Sequence, residues 1–393
     1  HIGGGPGWTQ KWRTALREAM DWLSGELALF YEREGGRCFS DPWKARDSFI
    51  DILHRRDDED VDRFMERAGA GDMSREDKAR ALKLLELQKN AQLIFTSCGW
   101  FFDDISGIET VQILRYAAQA IQYLEELGGP ALESKFLEFL ERAPGNVTAT
   151  GADVYRAHVR PAVVDDYRVA ANYGIKSLFN SHPREGRIHC YSCSDEDFQR
   201  LDAGRVRLVT GRVKVVSEQT WDEEVLSFAV LHLGDQNIHC GVRKFDGDQA
   251  FTEMKKELAD DFAKGDVTRV LRQIDWHFMP HTYSLFHLFK DEQRKVVSEV
   301  LRITYEEIDT SYRQVVENNY PLMNFLTTME IPLPRPLKVA AEYVANRDLR
   351  AGLVSPEFDG ERFAVTINDI KRWALSVDRE MAAYTAGATV TSL

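Results

Sequence analysis

Residues 95–109 read Phe-Thr-Ser-Cys-Gly-Trp-Phe-Phe-Asp-Asp-Ile-Ser-Gly-Ile-Glu, and they interrupt two long helical patterns. The interruption, here called the elbow, contains three adjacent aromatic residues followed by two adjacent carboxylates. Apolar residues recur every three or four positions on both sides of it, as on one face of a helix. These residues are Leu84, Leu87, Ala91 and Ile94 before the elbow, and Ile108, Val111, Leu114, Ala118, Ile121 and Leu124 within and after it. The pattern predicts a helix hairpin with an aromatic and acidic connection.

Three helix starts can be predicted from capping residues. Ser106 and Glu109 fit a capping box at the start of the second hairpin helix, which assigns Glu109 to capping rather than to chemistry. Asp41 followed by Pro42 fits an N-cap and a first helical position. Ser74, with an acidic residue three positions later, fits the start of the first hairpin helix.

The order of helical and strand patterns along the chain predicts an α+β fold that is mainly helical with a small antiparallel sheet. Helical patterns cover 10–34, 58–69, 75–95, 106–127, 130–142, 151–159 and 161–179. Strand patterns cover 187–194, 205–218, 225–233 and 237–245, and their short connections favour antiparallel pairing. Helical patterns return at 247–264, 266–278, 290–318, 336–346 and 367–385. We therefore expect a helical bundle (1–180), a sheet region of about four strands (181–246) and a C-terminal helical region that packs on both (247–393), with no complete β/α barrel.

Composition and charge exclude several classes of partner. The net charge of -13 is unfavourable for binding nucleic acid or an anionic membrane surface, and no apolar run approaches the ~20 residues that cross a bilayer. Five cysteines form no regular framework, which indicates a reducing compartment, and we expect a cytoplasmic protein. The charged run 55–60 is expected to be solvated. The glycine-rich start at 1–7, without Met, suggests the later part of a longer polypeptide or a processed product.

The elbow is the first candidate site. Aromatic faces stack on the apolar face of a pyranose, and carboxylates bind hydroxyl groups or act as acid, base or nucleophile. Trp100, Phe102, Asp103 and Asp104 could therefore line a sugar pocket. The same aromatic residues could equally form the core of the hairpin, with the two carboxylates bonding to the local turn.

A second candidate lies in the predicted turn between the last two strands. His232 and Asp235 flank Gly234 there, although a tight turn needs the same residue types. Cys190 and Cys193 are a possible zinc pair, but residues three apart on a strand point to opposite faces. We expect no metal and no cofactor.

Four stretches carry a resemblance to a known family. They are Gly-Gly-Gly-Pro-Gly-Trp-Thr-Gln-Lys-Trp-Arg (3–13), Thr-Ser-Cys-Gly-Trp-Phe-Phe-Asp-Asp-Ile-Ser-Gly-Ile-Glu-Thr (96–110), Leu-Ser-Phe-Ala-Val-Leu-His-Leu-Gly-Asp (226–235) and Tyr-Ser-Leu-Phe-His-Leu-Phe-Lys-Asp-Glu-Gln-Arg-Lys (283–295). Together they resemble the C-terminal region of bacterial proteins of glycoside hydrolase family 57, which are alpha-amylase or alpha-mannosidase-like. That region is itself usually labelled a domain of unknown function.

The resemblance implies that a seven-stranded β/α barrel precedes this chain and carries the Glu nucleophile and Asp acid/base of a retaining mechanism. It also implies that Trp100 and Asp103 lie near an oligo- or polysaccharide. Trp8, His232 and Asp235 are secondary candidates for substrate binding. The family often has Ser-Asp-Trp where this chain has Cys98-Gly99-Trp100, so no catalytic role is transferred.

Two functions are compatible with these expectations. In the first, the chain is the C-terminal part of a hydrolase or glucanotransferase acting on α-glucans, and it is inactive without the barrel. In the second, it is a non-catalytic module for carbohydrate binding, assembly or regulation. The residues that precede His1 in the natural polypeptide discriminate between the two.

Overall fold

A computed structural model describes residues 4–179, 185–354 and 359–392 of the chain. Within these residues the fold is mainly helical with one open antiparallel sheet of six strands, which confirms the predicted fold class. The chain divides into two compact units, one ending at Gln293 and one beginning at Arg294. Among the described helices, none has an apolar stretch that would cross a bilayer.

The first unit opens with a helical bundle. Its helices are α1 (Trp12–Cys38), α2 (Pro42–Ser48), α3 (Asp58–Arg67), α4 (Arg75–Leu93), α5 (Ile108–Glu126), α6 (Glu133–Glu141) and α7 (Gly151–Val154). The next helix, α8 (Asp166–Lys176), packs on the sheet. The predicted caps of α2 and α4 are confirmed, because the side chains of Asp41 and Ser74 accept from the backbone N–H of the third residue of each helix. The α4–α5 hairpin packs against α1, whose Trp12 and Tyr31 are completely buried.

The sheet follows the bundle as a simple meander. Its strands are β1 (Glu185–Ile188), β2 (Tyr191–Ala203), β3 (Val206–Ser217), β4 (Glu223–His232), β5 (Ile238–Lys244) and β6 (Thr282–Tyr283), each paired with the next. The connection from β5 to β6 contains α9 (Asp248–Ala263) and α10 (Val267–Phe278).

Helices cover both faces of the central strand β4, which explains its nearly continuous apolar sequence. Phe228 and Val230 face α8, where a Cβ on Gly174 would lie 2.8 Å from the Phe228 ring. Ala229 and Leu231 belong to a second core formed with α9 and α10. Glycine is thus needed in α8 for the close approach of helix and sheet.

The second unit contains α11 (Lys290–Thr328), whose first turn belongs to the first unit, α12 (Arg335–Val354), α13 (Gly360–Arg372) and α14 (Arg379–Ser392). The single helix predicted over 367–385 is wrong, because the chain breaks between α13 and α14 where Ala374 adopts a positive φ of 50°. No glycine or proline marks this break in the sequence.

The strand predictions also differ from the structure in detail. The pattern at 187–194 is two strands, because His189 adopts a positive φ of 56° in the turn between β1 and β2. Strand β2 continues to Ala203 through polar residues that are largely exposed or half-buried, so alternation of apolar residues could not show its length. The predicted boundary between the bundle (1–180) and the sheet region (181–246) lies outside the described residues.

Candidate functional site

The elbow is a tight connection between α4 and α5. Its first part is a turn of 3₁₀ helix at Ser97–Trp100. A Cβ at Gly99 would lie 2.5 Å from the side chain of Ile113 on α5, and the buried Thr110 hydroxyl donates to the Gly99 carbonyl oxygen at 2.8 Å. The elbow backbone is therefore fixed against α5 at a position that only glycine can occupy.

Two phenylalanine side chains project from the elbow into solvent. Phe101 is 61% exposed and Phe102 is 45% exposed, and their rings meet edge to face with centroids 5.5 Å apart. Trp100 is half-buried and packs against the bundle core. The alternative of a wholly internal hairpin core therefore fits Trp100 in part but does not fit the two phenylalanines.

The start of α1 holds the backbone beneath these rings. The Arg13 guanidinium donates to the carbonyl oxygens of Phe101 and Phe102 at 2.9 and 3.0 Å. Gln10 donates from Nε2 to a carboxylate oxygen of Asp103 at 3.2 Å. The half-buried Asp103 carboxylate therefore lies beside the exposed rings and next to a side-chain amide.

Asp104 has a different environment from its neighbour. It is 7% exposed and accepts from the backbone N–H and the hydroxyl of Ser106, at 2.9 and 2.5 Å, and from the backbone N–H groups of Asn146 and Val147. Burial by itself would raise the pKa of Asp104, but these hydrogen bonds together lower it. Its carboxylate joins the elbow to the loop after α6, and a contact with a ligand remains a prediction.

Asn146 and the N-terminal segment complete the surface. The Asn146 side chain accepts from the Thr9 N–H at 2.9 Å and donates to the carbonyl oxygens of Thr9 and Asp103 at 3.0 and 2.8 Å. Trp8, half-buried, immediately precedes this anchor. Three segments distant in sequence thus meet at the elbow.

Sequence reasoning did not identify Asn146 or Arg13 as partners of the elbow. The Pro144-Gly145-Asn146 turn was the available signal for the first. The predicted capping box is wrong, because Gly107 is the N-cap of α5 without a side-chain cap bond, and the Ser106 hydroxyl donates to Asp104 instead.

His232 and Asp235 lie in the β4–β5 hairpin, not in the bundle. His232 is buried, its Nε2 lies 2.9 Å from the Asp235 carbonyl oxygen, and burial lowers its pKa. Asp235 is exposed and adopts a positive φ of 49° in the predicted turn, which the Asn237 N–H closes by donating to the Gly234 carbonyl oxygen at 3.1 Å. These features fit the interpretation of His232 and Asp235 as residues of a tight turn.

A charged cluster surrounds Lys83 on α4, roughly 15 Å along the helix from the end that joins the elbow. Lys83 contacts Glu126 at 2.8 Å and Asp222 at 3.0 Å beside a cavity of about 530 Å³. Burial by itself would lower the pKa of Lys83, but the two carboxylates raise it. Burial, together with repulsion from Glu126 and Asp222, raises the pKa of the neighbouring Asp166 to about 7.

The charged run 55–60 is not wholly solvated as predicted. The side chain of Arg56 is only 9% exposed, and its guanidinium pairs with the buried carboxylate of Glu86 and donates to the Gln219 carbonyl oxygen. The residue therefore links α4 to the turn between β3 and β4. A run of charges in the sequence gave no sign that one member points inward.

The elbow presents exposed aromatic rings, a carboxylate and a side-chain amide on one surface. Exposed rings next to a carboxylate and an amide suit a polyhydroxylated ligand with an apolar face. Among the described residues, no group of three or more His, Cys, Asp or Glu side chains is arranged to hold a metal ion.

A family model described as a domain of unknown function, DUF3536, matches residues 8–289. The chain belongs to the DUF3536 family. Neither the curated proteins nor the solved structures contain a match to it.

The DUF3536 match covers the bundle and the sheet. It begins at Trp8, where the N-terminal segment reaches the elbow, and ends at Phe289, just before the first unit ends. The elbow, the Lys83 cluster and the β4–β5 hairpin all belong to this DUF3536 region. The second unit lies beyond the matched residues.

Proposed function

We propose that this DUF3536 chain is the C-terminal portion of a glycoside hydrolase family 57-like protein that acts on α-glucans. In this proposal the elbow forms one wall of the sugar pocket, and a preceding β/α barrel supplies the two catalytic carboxylates. The single observation that carries it is the solvent-exposed pair Phe101 and Phe102, which stands on a fixed backbone beside Asp103.

The exposure of these rings supports a binding role. Large apolar side chains that stay in water forgo roughly 1.5–3 kcal/mol each of burial free energy. The pair is nevertheless held in place by the Arg13 guanidinium and by the close packing of Gly99 on α5. A pyranose ring laid on Phe102 would recover part of this free energy, while Asp103 could accept from its hydroxyl groups.

The contacts of the N-terminal segment support the proposal that a preceding barrel would lie beside the elbow. Thr9, Gln10 and Arg13 all bond to the elbow or to the loop that holds it. A domain that preceded these residues would therefore join the chain beside the exposed rings. Its active-site mouth could then lie against them.

The carboxylates of the elbow do not suggest a catalytic pair of their own. A retaining glycosidase needs two carboxyl groups ~5–5.5 Å apart that both reach the substrate. Asp104 is buried and accepts four hydrogen bonds from the protein. We therefore expect residues 1–393 alone to be inactive on α-1,4-glucans.

The test compares kcat/KM on a soluble α-1,4-glucan for the natural polypeptide that contains this chain and for two variants. Phe102→Ala removes an elbow ring, and Phe286→Ala is the matched control, because Phe286 is 83% exposed and lies outside the elbow. Loss of a stacking ring should lower kcat/KM about tenfold or more, since one such contact contributes ~1–1.5 kcal/mol and positions the sugar. The control should match the wild type.

If the natural polypeptide is active, equal kcat/KM for Phe102→Ala and the wild type would refute the proposal that the elbow forms a wall of the sugar pocket. Calorimetric titration with maltoheptaose distinguishes the alternative, a non-catalytic binding module, from an enzyme. Binding that Phe102→Ala weakens, without hydrolysis by the natural polypeptide, would support carbohydrate binding in place of catalysis.

A further inference from the structure

Three polar side chains form a row across the face of the sheet that α9 and α10 cover. Arg212 on β3 lies directly opposite Ser227 on β4, and Ser227 lies directly opposite Arg243 on β5. Side chains opposite each other on neighbouring strands share a face, with Cβ atoms about 4.5–5.5 Å apart. Ala229, two residues from Ser227 on β4, places this face against α9 and α10. Here the three residues are called the basic row.

The middle member of the basic row is a buried hydroxyl. Ser227 is 1% exposed, and within the described part of the chain its Oγ has no hydrogen-bond partner. Leaving a buried hydroxyl in this state is costly, and folded proteins satisfy most such groups. The Ser227 hydroxyl therefore needs a partner that the described residues do not supply.

Arg243 is a second donor without an acceptor. It is half-buried, its Nε is enclosed without a hydrogen-bond partner, and no carboxylate among residues 4–179, 185–354 and 359–392 forms an ion pair with it. Its guanidinium lies 5.7 Å from the centre of the Phe278 ring, at the last residue of α10. That contact positions the cation but supplies none of the oxygen acceptors that its five N–H donors can use.

Arg212 brings a second guanidinium over the basic row. Its guanidinium lies 4.5 Å from the centre of the Phe245 ring, which follows the end of β5, so this side chain and the ring meet above β4. Arg212 also contacts Glu196 at 3.0 Å and Asp248, in the first turn of α9, at 2.8 Å. These two carboxylates balance the charge of Arg212, whereas the charge of Arg243 has no such partner.

The donors of the basic row match a tetrahedral oxyanion. Strands β3 and β5 are two strand spacings, about 9.5 Å, apart, which two guanidinium side chains can bridge through one anion between them. Guanidinium groups bind phosphate oxygens through strong charge-assisted hydrogen bonds, and a hydroxyl can donate to a further oxygen. A water molecule would satisfy the hydroxyl but would leave the charge of Arg243 unanswered.

We propose that the basic row binds the phosphate group of a small molecule through Arg243 and Ser227, with Arg212 closing the site from β3. The phosphate group belongs either to inorganic phosphate or to a phosphate monoester. The site is reached from solvent past the arginine side chains, because that of Arg212 is 21% exposed and Arg243 is half-buried. This site lies on the sheet and does not rest on the sugar-pocket proposal, which concerns the elbow.

Isothermal titration calorimetry of the full chain with inorganic phosphate and with glycerol phosphate, at constant ionic strength, tests the proposal. The wild type should bind one phosphate group per chain. Arg243→Gln and Ser227→Ala should each raise the dissociation constant at least about tenfold, because each removes a hydrogen bond to a charged group. Lys244→Gln is the matched control, because Lys244 is the next residue of β5 and points to the opposite face, and it should bind like the wild type.

The two ligands distinguish the source of the phosphate group. Equal affinities would support a site for free phosphate, and tighter binding of glycerol phosphate would support a site for a phosphate monoester. Thermal unfolding provides a second measurement. Without phosphate, Ser227→Ala should have a Tm at least as high as the wild type, because the hydroxyl that it removes has no partner. Phosphate should raise the Tm of the wild type and raise that of Ser227→Ala much less.

Two results would overturn the proposal. One is a wild type that binds neither ligand at millimolar concentrations, which would mean that water satisfies the basic row. The other is equal weakening by Arg243→Gln and Lys244→Gln, which would mean that phosphate responds only to the general charge of the surface. Far-UV circular dichroism of the variants establishes that each is folded, and Ser227→Ala keeps the test decisive if Arg243→Gln is not.

Discussion

Removal of the Asp104 carboxylate is expected to loosen the elbow from the loop after α6. In Asp104→Ala the backbone N–H groups of Ser106, Asn146 and Val147 all lose their acceptor. A buried donor left without a partner costs about 1–3 kcal/mol. The three donors here lie in half-buried or exposed residues, so each is taken at or below the lower bound, and together they give a destabilisation of about 2–3 kcal/mol. Asp104→Asn keeps one acceptor oxygen and should cost about half as much.

The effect of Asp104 should depend on pH in a defined direction. Its pKa in the folded protein is lower than in the unfolded chain, where it is about 3.9. The carboxylate therefore contributes its full stabilisation above that unfolded pKa and loses it as the pH falls through the lower folded pKa. The difference between wild type and Asp104→Asn should be constant from neutral pH to about pH 5 and should shrink in stronger acid.

Urea unfolding with pulsed hydrogen exchange in α4 and α5 measures the free energy of unfolding of the bundle separately from that of the second unit. Asp103→Asn is the matched control, because the neighbouring Asp103 is only half-buried, and it should cost less than about 1 kcal/mol. A loss below about 0.5 kcal/mol in Asp104→Ala, or equal losses in the two Asn variants, would refute the role assigned to Asp104.

Three further substitutions test other parts of the first unit. Gly99→Ala should destabilise the bundle by about 1–3 kcal/mol, because its Cβ would lie 2.5 Å from Ile113, and thermal unfolding would show this. Glu86→Gln should cost about 3 kcal/mol by leaving the largely covered Arg56 guanidinium without its charge partner, whereas an unchanged unfolding free energy would mean that water replaces the carboxylate. Asp166→Asn should stabilise the protein above pH 4, because a carboxyl whose folded pKa is raised to about 7 makes folding less favourable as the pH rises from about 4 to 7. The full shift corresponds to about 4 kcal/mol, which the half-burial of Asp166 and screening by water reduce to about 2 kcal/mol at pH 8, and a gain independent of pH would contradict this.

Local patterns in the sequence predicted much of the fold. The hairpin, the caps at Asp41 and Ser74, and the antiparallel order of the strands follow from periodicity and turn residues over short distances. The break near Ala374 and the turn at His189 could not be predicted, because residues other than glycine adopt positive φ there only in response to tertiary contacts.

The composition of the candidate site was visible in the sequence, but the role of each residue was not. Asp103 and Asp104 are adjacent and chemically identical, and only the approach of the loop containing Asn146 distinguishes a half-buried carboxylate from a buried structural one. The contact of Arg13 with the elbow spans 88 residues, beyond any local pattern. Arg56 shows the same limitation, since its partner Glu86 lies on another helix.

The central claim, that the elbow forms a wall of a sugar pocket, can be measured at Cys98. This thiol is exposed in the elbow, whereas Cys38, Cys193 and Cys240 are buried. The measurement is the rate of Cys98 alkylation by a maleimide, followed by peptide mass spectrometry, in the natural polypeptide with and without saturating maltoheptaose. Bound sugar should slow the alkylation of Cys98 several-fold and leave the rate at the half-buried Cys190 unaffected. An unchanged rate at Cys98 with the sugar bound would contradict it.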